Sequence, residues 1–91
     1  MSRVYTIHIK EEAAKALDKL DKTVRSRIEK KIDALATNPR PAGMKQLAAQ
    51  KTPAYRIRVG DHRVIYEIRD DELVVLIIRV GNRRDVYKKE L

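Results

Sequence analysis

Two alternating runs meet at Gly60-Asp61, and this junction limits the possible folds more than any other feature of the chain. Before it, Tyr55, Ile57 and Val59 alternate with Arg56 and Arg58; after it, His62 to Arg69 forms a second β-type run. A Gly-Asp pair between such runs predicts a tight hairpin. A two-residue loop also sets the register: Val59 faces His62, Arg58 faces Arg63, and Ile57 faces Val64. One face then carries Tyr55, Ile57, Val59 and Val64. The other carries Arg56, Arg58 and Arg63, which are expected to project outward.

The rest of the chain is read around this hairpin. Asp70-Asp71-Glu72 predicts a turn, and Leu73 to Val80 a third strand. That strand is apolar on both faces, so it is expected to be central, ending at Gly81-Asn82-Arg83-Arg84. Upstream, residues 3–9 form a first strand with Tyr5, Ile7 and Ile9 on one face. The period then changes. Ala13, Ala14, Leu17 and Leu20 fall at helical spacing, with Glu11 and Glu12 at the positive end of the first turn. Val24, Ile28, Ile32 and Leu35 stripe a second helix, capped by Asp21 or Thr23 and stopped by Asn38-Pro39. So short a link makes the two helices a hairpin. Residues 38–53 are irregular, with Met44 to Ala49 read as a turn of helix. The expected architecture is α+β in the order β-α-α-β-β-β. The helical hairpin packs on one face of a small, mainly antiparallel sheet, in one domain over residues 1–91.

Composition narrows the function. The chain has 91 residues, 43% of them hydrophobic. Such a length permits one thin core, with about 60–65% of the unfolded surface buried. There is no Cys, which excludes disulfides and thiolate metal sites. The net charge is +8, with 11 basic against 6 acidic residues in 1–50 and 10 against 7 in 51–91. The excess is distributed rather than held in a tail, which suggests a polyanionic partner. The longest apolar run, Leu73 to Ile78, is far short of a membrane span, and no signal-peptide core opens the chain. The lack of cysteine allows a reducing, cytoplasmic location without establishing it.

The facing arginines need a reason. Like charges directly opposed across strands destabilise the pair by a few tenths of a kcal/mol to about 1. Splaying into water would relieve this; otherwise the cluster suggests an anion site such as a phosphate. Arg83 and Arg84 follow the third strand, whose end should lie near His62 and Arg63. Tyr87, beyond them, could pack on the sheet edge, stack on a base, or donate its hydroxyl. Other chemistries fit less well. His8 lies outward on the first strand with no spacing that ties it to His62, so a two-histidine acid–base pair is disfavoured; His62 alone stays a candidate base. No HExxH, CxxC or acidic constellation points to a metal, and no glycine-rich loop points to a nucleotide cofactor. The basic residues Arg25, Arg27, Lys30 and Lys31 read most simply as a solvated helix face.

The segment YRIRVGDHRVIYEI at 55–68, followed by VGNRRDVY at 80–87, resembles the RelE/ParE toxin superfamily of prokaryotic toxin–antitoxin systems, and within it the RelE branch. The helical hairpin, the Asn38-Pro39 stop and Lys45-x-Leu47 extend the resemblance over essentially the whole chain. It implies a cytoplasmic toxin that cuts messenger RNA in the ribosomal A site without metal or cofactor. The RNA 2′-hydroxyl attacks the adjacent phosphate and leaves a cyclic phosphate. It implies a RelB-like antitoxin and the ribosome as partners, and no membrane. Carried over, Arg58, Arg63, Arg83 and Tyr87 are the catalytic set, with Arg83 at the leaving oxygen and Tyr87 orienting the substrate. Arg56, Arg58, Lys45 and Arg84 hold RNA phosphates. The best-known RelE sequence has lysines at the places of Arg56 and Arg58. Lysine can serve as a base and arginine stays protonated, so the base is unassigned, with His62 one possibility. The alternatives are a ParE-like inhibitor of DNA gyrase and a non-catalytic nucleic-acid or ribosome-binding domain.

Overall fold

The computed structural model describes residues 4–47 and 53–82. Along the chain these form β1 (Thr6–Ile9), α1 (Glu11–Asp18), α2 (Lys22–Ala34), β2 (Lys45–Leu47), β3 (Ala54–Val59), β4 (His62–Arg69) and β5 (Val74–Asn82). The five strands make one sheet in the order β1-β5-β4-β3-β2. Only the β1–β5 pair is parallel. The expected helical hairpin on a mainly antiparallel sheet is present, and β5 is internal as its two apolar faces require.

Three details differ from the sequence reading. Lys45–Leu47 is a short edge strand paired with Ala54–Arg56 rather than part of a helical turn; Ala48 and Ala49 lie outside the described residues. A three-residue Lys-Gln-Leu strand carries no β signature of its own and forms because the edge of β3 offers hydrogen bonds. Strand β1 begins at Thr6, and Ile9 is 40% exposed because β1 is an edge strand ending there. Strand β5 runs through Gly81 to Asn82. Its register against β4 also slips between Ile65 and Tyr66, so Ile78 is an extra residue and the strand bends.

One face of the sheet holds the main core. Ala13 and Leu17 of α1, and Ile28, Ile32 and Leu35 from α2 and its C-terminal cap, pack on Ile57, Val64, Tyr66, Val75, Ile77 and Val80. Helix α2 starts where the Asp21 carboxylate accepts from the Thr23 N–H at 3.1 Å, which settles the cap in favour of Asp21.

The connection between α2 and β2 is tied down by tyrosines. The fully buried Tyr66 donates its hydroxyl to the Pro39 carbonyl at 2.8 Å. Tyr5 donates to Asp70 at 2.5 Å, and Arg40 clamps the same carboxylate with both terminal nitrogens at 2.8 and 3.2 Å. The hydrogen bond to the Asp70 carboxylate, with desolvation, raises the Tyr5 pKa. One carboxylate thus joins the start of the chain, the α2–β2 loop and the β4–β5 turn.

Candidate functional site

Gly60 takes φ +60° while Asp61 stays at negative φ, the pattern of a II′ turn. The two-residue loop produces the expected register: Val59↔His62, Arg58↔Arg63 and Ile57↔Val64. Residues directly opposite share a face. Continuing across the sheet, one row reads Lys45, Arg56, Ile65, Arg79 and the next Arg58, Arg63, Gly81. Five cationic residues therefore fall in these rows on the face opposite the main core, and of them Arg79 is paired with Glu12. Beside them lies a small apolar cluster of Ala54 and Ile65 with Leu47 and Ile78.

The expected outward projection holds for Arg58 and Lys45, which are exposed. It fails for Arg56 and Arg63, which are only 6% and 5% exposed. Strand alternation settles the face a side chain takes, not the depth of its cover. The burial sharpens the electrostatics. Arg63 reaches only its neighbour's carbonyl, His62 O at 3.4 Å, and its Nε is buried with no hydrogen-bond partner among the described residues. Buried polar groups are normally paired, and an unpaired buried donor costs about 1–3 kcal/mol. The one carboxylate that β3 and β4 bring to this face, Glu67, is taken by Arg69 at 3.2 Å. Among the described residues, Arg58 and Arg63 form a like-charge pair with no carboxylate ion-paired to either, an arrangement suited to an anion.

His62 does not join this group. It pairs with Val59 on the core side and lines a groove with Glu12, Lys15, Lys19 and Arg79, where Arg79 donates to Glu12 at 2.6 Å. The register thus places His62 on the opposite side of the sheet from Arg58 and Arg63. His62→Gln is expected to leave cleavage of any RNA bound on the arginine face within threefold of the unaltered protein. A tenfold loss in single-turnover rate would restore His62 to the site.

Arg83, Arg84 and Tyr87 lie outside the described residues. The chain does reach the expected place: Gly81 faces Arg63 and Asn82 faces His62. Among the described residues, no cluster of three or more His, Asp or Glu could hold a metal, and no helix is long and apolar enough to cross a membrane. The sequence reading missed the Tyr5–Asp70–Arg40 tie, whose partners lie 65 and 30 residues apart.

Two helices on one face of a five-stranded sheet, with arginines on the other, define a class of small α+β protein. Residues 7–87 match the family model described as the ParE toxin of type II toxin–antitoxin systems. The chain belongs to that RelE/ParE superfamily, on its RelE-like side. It is 30% identical over 87 residues to the mRNA interferase toxin RelE of Escherichia coli, covering 93% of this chain and 92% of that protein. It resembles the toxin in the archaeal RelE–RelB complex from Pyrococcus horikoshii, with TM-score 0.78 and 30% identity over 88% of this chain and 96% of that one. The match to the intact E. coli RelBE toxin–antitoxin complex has TM-score 0.75 and 31% identity over 86% and 95% of the two chains.

Proposed function

We propose that this chain is the toxin of a toxin–antitoxin pair and a ribosome-dependent endoribonuclease that cuts messenger RNA in the A site, acting in the cytoplasm. The observation that carries the reading is the Arg58–Arg63 pair, in which the buried Arg63 Nε has no partner among the described residues. In-line attack of the 2′-oxygen on phosphorus, with cleavage of the P–O5′ bond, builds negative charge on the equatorial oxygens. The products are a 2′,3′-cyclic phosphate and a 5′-hydroxyl. Guanidinium groups held beforehand stabilise that charge without reorganising, and one such donor is worth about 10²–10³ in rate. Arg56 and Lys45, in the adjoining row, hold neighbouring phosphates. Arg83 supports the leaving oxygen and Tyr87 orients the substrate, as the resemblance implies. Arginine stays protonated, so the chain's contribution is charge stabilisation and positioning. A shallow face positions a flexible strand poorly, and the ribosome supplies the missing order. The partner that neutralises the toxin is a RelB-like antitoxin, whose acidic helix would complement a +8 surface.

The test is purified protein on programmed 70S ribosomes, with cleavage ends mapped. The expected result is cuts within the A-site codon that end in a cyclic phosphate, little cleavage of the same RNA alone, and arrest relieved by coexpressed antitoxin. Arg83→Ala should abolish most cleavage and leave antitoxin binding intact. Intact messenger together with inhibited gyrase supercoiling would replace this reading with the ParE-type one.

A further inference from the structure

Two clefts meet along the outer edge of β3. One, of about 510 Å³, lies between the C-terminal part of α2, the α2–β2 loop and β3; the other, of about 560 Å³, runs from α2 to the β3–β4 turn. They share Lys31, Ala34 and Arg58 and so form one trough. Among the described residues six cations line it, namely Arg27, Lys30, Lys31, Lys45, Arg56 and Arg58, and no carboxylate does. This distribution is not that of the whole surface. Lys15 is paired with Glu11, Arg25 with Asp18 and Glu29, Arg40 with Asp70, and Arg79 with Glu12. Arg27, Lys30, Lys31, Lys45 and Arg58 make no ion pair with a described residue.

The trough is continuous with the arginine face. Arg56 and Arg58 belong to both, because β2 covers β3 only as far as Arg56 and leaves its edge open beyond. We propose that this trough carries the single-stranded RNA flanking the reacting phosphate, the strand crossing the edge of β3 at Arg58. This rests on the endoribonuclease reading and adds a path for the substrate. Arg27, Lys30 and Lys31 stand at i, i+3 and i+4, so they form one stripe along α2 about 5–6 Å apart, able to follow a phosphate backbone. The exposed Ala34 supplies apolar surface for a ribose or base over the buried Leu35 and Ile57. Contacts to phosphate carry no base information, so the path is tolerant of sequence. An acidic peptide would pair with the open edge of β3, but that edge is three residues long and the cations extend past it along α2, which favours the longer polyanion.

The experiment uses the full chain and a short single strand of 2′-O-methyl RNA, which lacks the attacking hydroxyl. Binding is followed by anisotropy across a salt series. The variant combines Arg27→Gln, Lys30→Gln and Lys31→Gln, all exposed and off the reacting face. The control combines Lys10→Gln, Lys19→Gln and Lys22→Gln, removing equal charge elsewhere. The trough variant is expected to bind about 10–100-fold more weakly at low salt. Its slope of log K against log salt should be shallower by about 2, since each phosphate contact contributes about 0.7 on a single strand. The control should change little. On programmed ribosomes the variant should need more ribosome for half-saturation and keep its maximal cleavage rate within threefold. An unchanged slope, an equal effect in the control, or no measurable RNA binding by the unaltered protein overturns the proposal. So does weakened antitoxin binding with RNA binding intact, which would assign the trough to a protein. If the unaltered protein cuts nothing on ribosomes while the slope still falls, the trough stands and the endoribonuclease reading fails.

Discussion

Arg63→Met is expected to lower single-turnover cleavage on ribosomes by about 10²–10³-fold and to make the protein more stable. The two effects share one cause. Arg63 faces Arg58 directly, is 5% exposed, and keeps a buried Nε without a partner among the described residues. No described carboxylate is ion-paired with it, which leaves its charge for an anion in the reading proposed above. Methionine has similar length, fills the same space, and removes both the unmet donor and the like-charge contact. The gain should be about 1 kcal/mol, a rise of roughly 4–8 °C in the unfolding midpoint for a domain of this size. Thermal denaturation and ribosome cleavage are measured on the same preparation. A variant that melts earlier and cleaves normally would make Arg63 a structural residue and remove the anion receptor from the mechanism.

Tyr66→Ala should have the largest effect on folding. The ring is fully buried, lies 5.9 Å from the ring of Tyr55, and its hydroxyl holds the Pro39 carbonyl. Removing a buried aromatic costs about 3–5 kcal/mol, a large share of the roughly 5–14 kcal/mol expected for a chain this long. Tyr66→Phe loses only the hydrogen bond, about 1 kcal/mol. The phenol also gives the protein an alkaline limit. Burial, chiefly, pushes its pKa up to about 12, above the ordinary value near 10. Its contribution is complete below pH 10 and is lost as pH rises through 12. Urea unfolding should show stability falling across that window, and Tyr66→Phe should flatten the fall, leaving the part due to Tyr5, whose phenol is also raised. An identical pH dependence in the two proteins would contradict the buried state of Tyr66.

The legible parts of the sequence were those written in local chemistry. Gly60 permits a two-residue turn, the turn imposes the register, and the register places Arg58 against Arg63. The helix stripes ending at Leu35 were equally plain, and the cap was narrowed to Asp21 or Thr23, of which the structure uses Asp21. Depth was not legible: alternation assigns Arg56 and Arg63 to a face and is silent on what covers them. Nor was β2, whose three residues become a strand only because β3 is beside them. The slip at Ile78 depends on how two strands pack together, and the Tyr5–Asp70–Arg40 tie on a chain already folded. His62 was the instructive case. The same turn that paired the arginines placed it across from Val59, so its side of the sheet followed from the register already in hand.

The parallel pairing of β1 with β5 has a bearing on synthesis. Thr6–Ile9 find their strand partners at Val74–Ile77, so the first strand made waits for the last. While a ribosome is translating this message, the emerging chain holds helices, then a hairpin, and an opening in the sheet that only the final stretch can fill. Contacts this distant in sequence form late. The sheet that carries the arginine rows is therefore completed only when β5 is available to both β1 and β4.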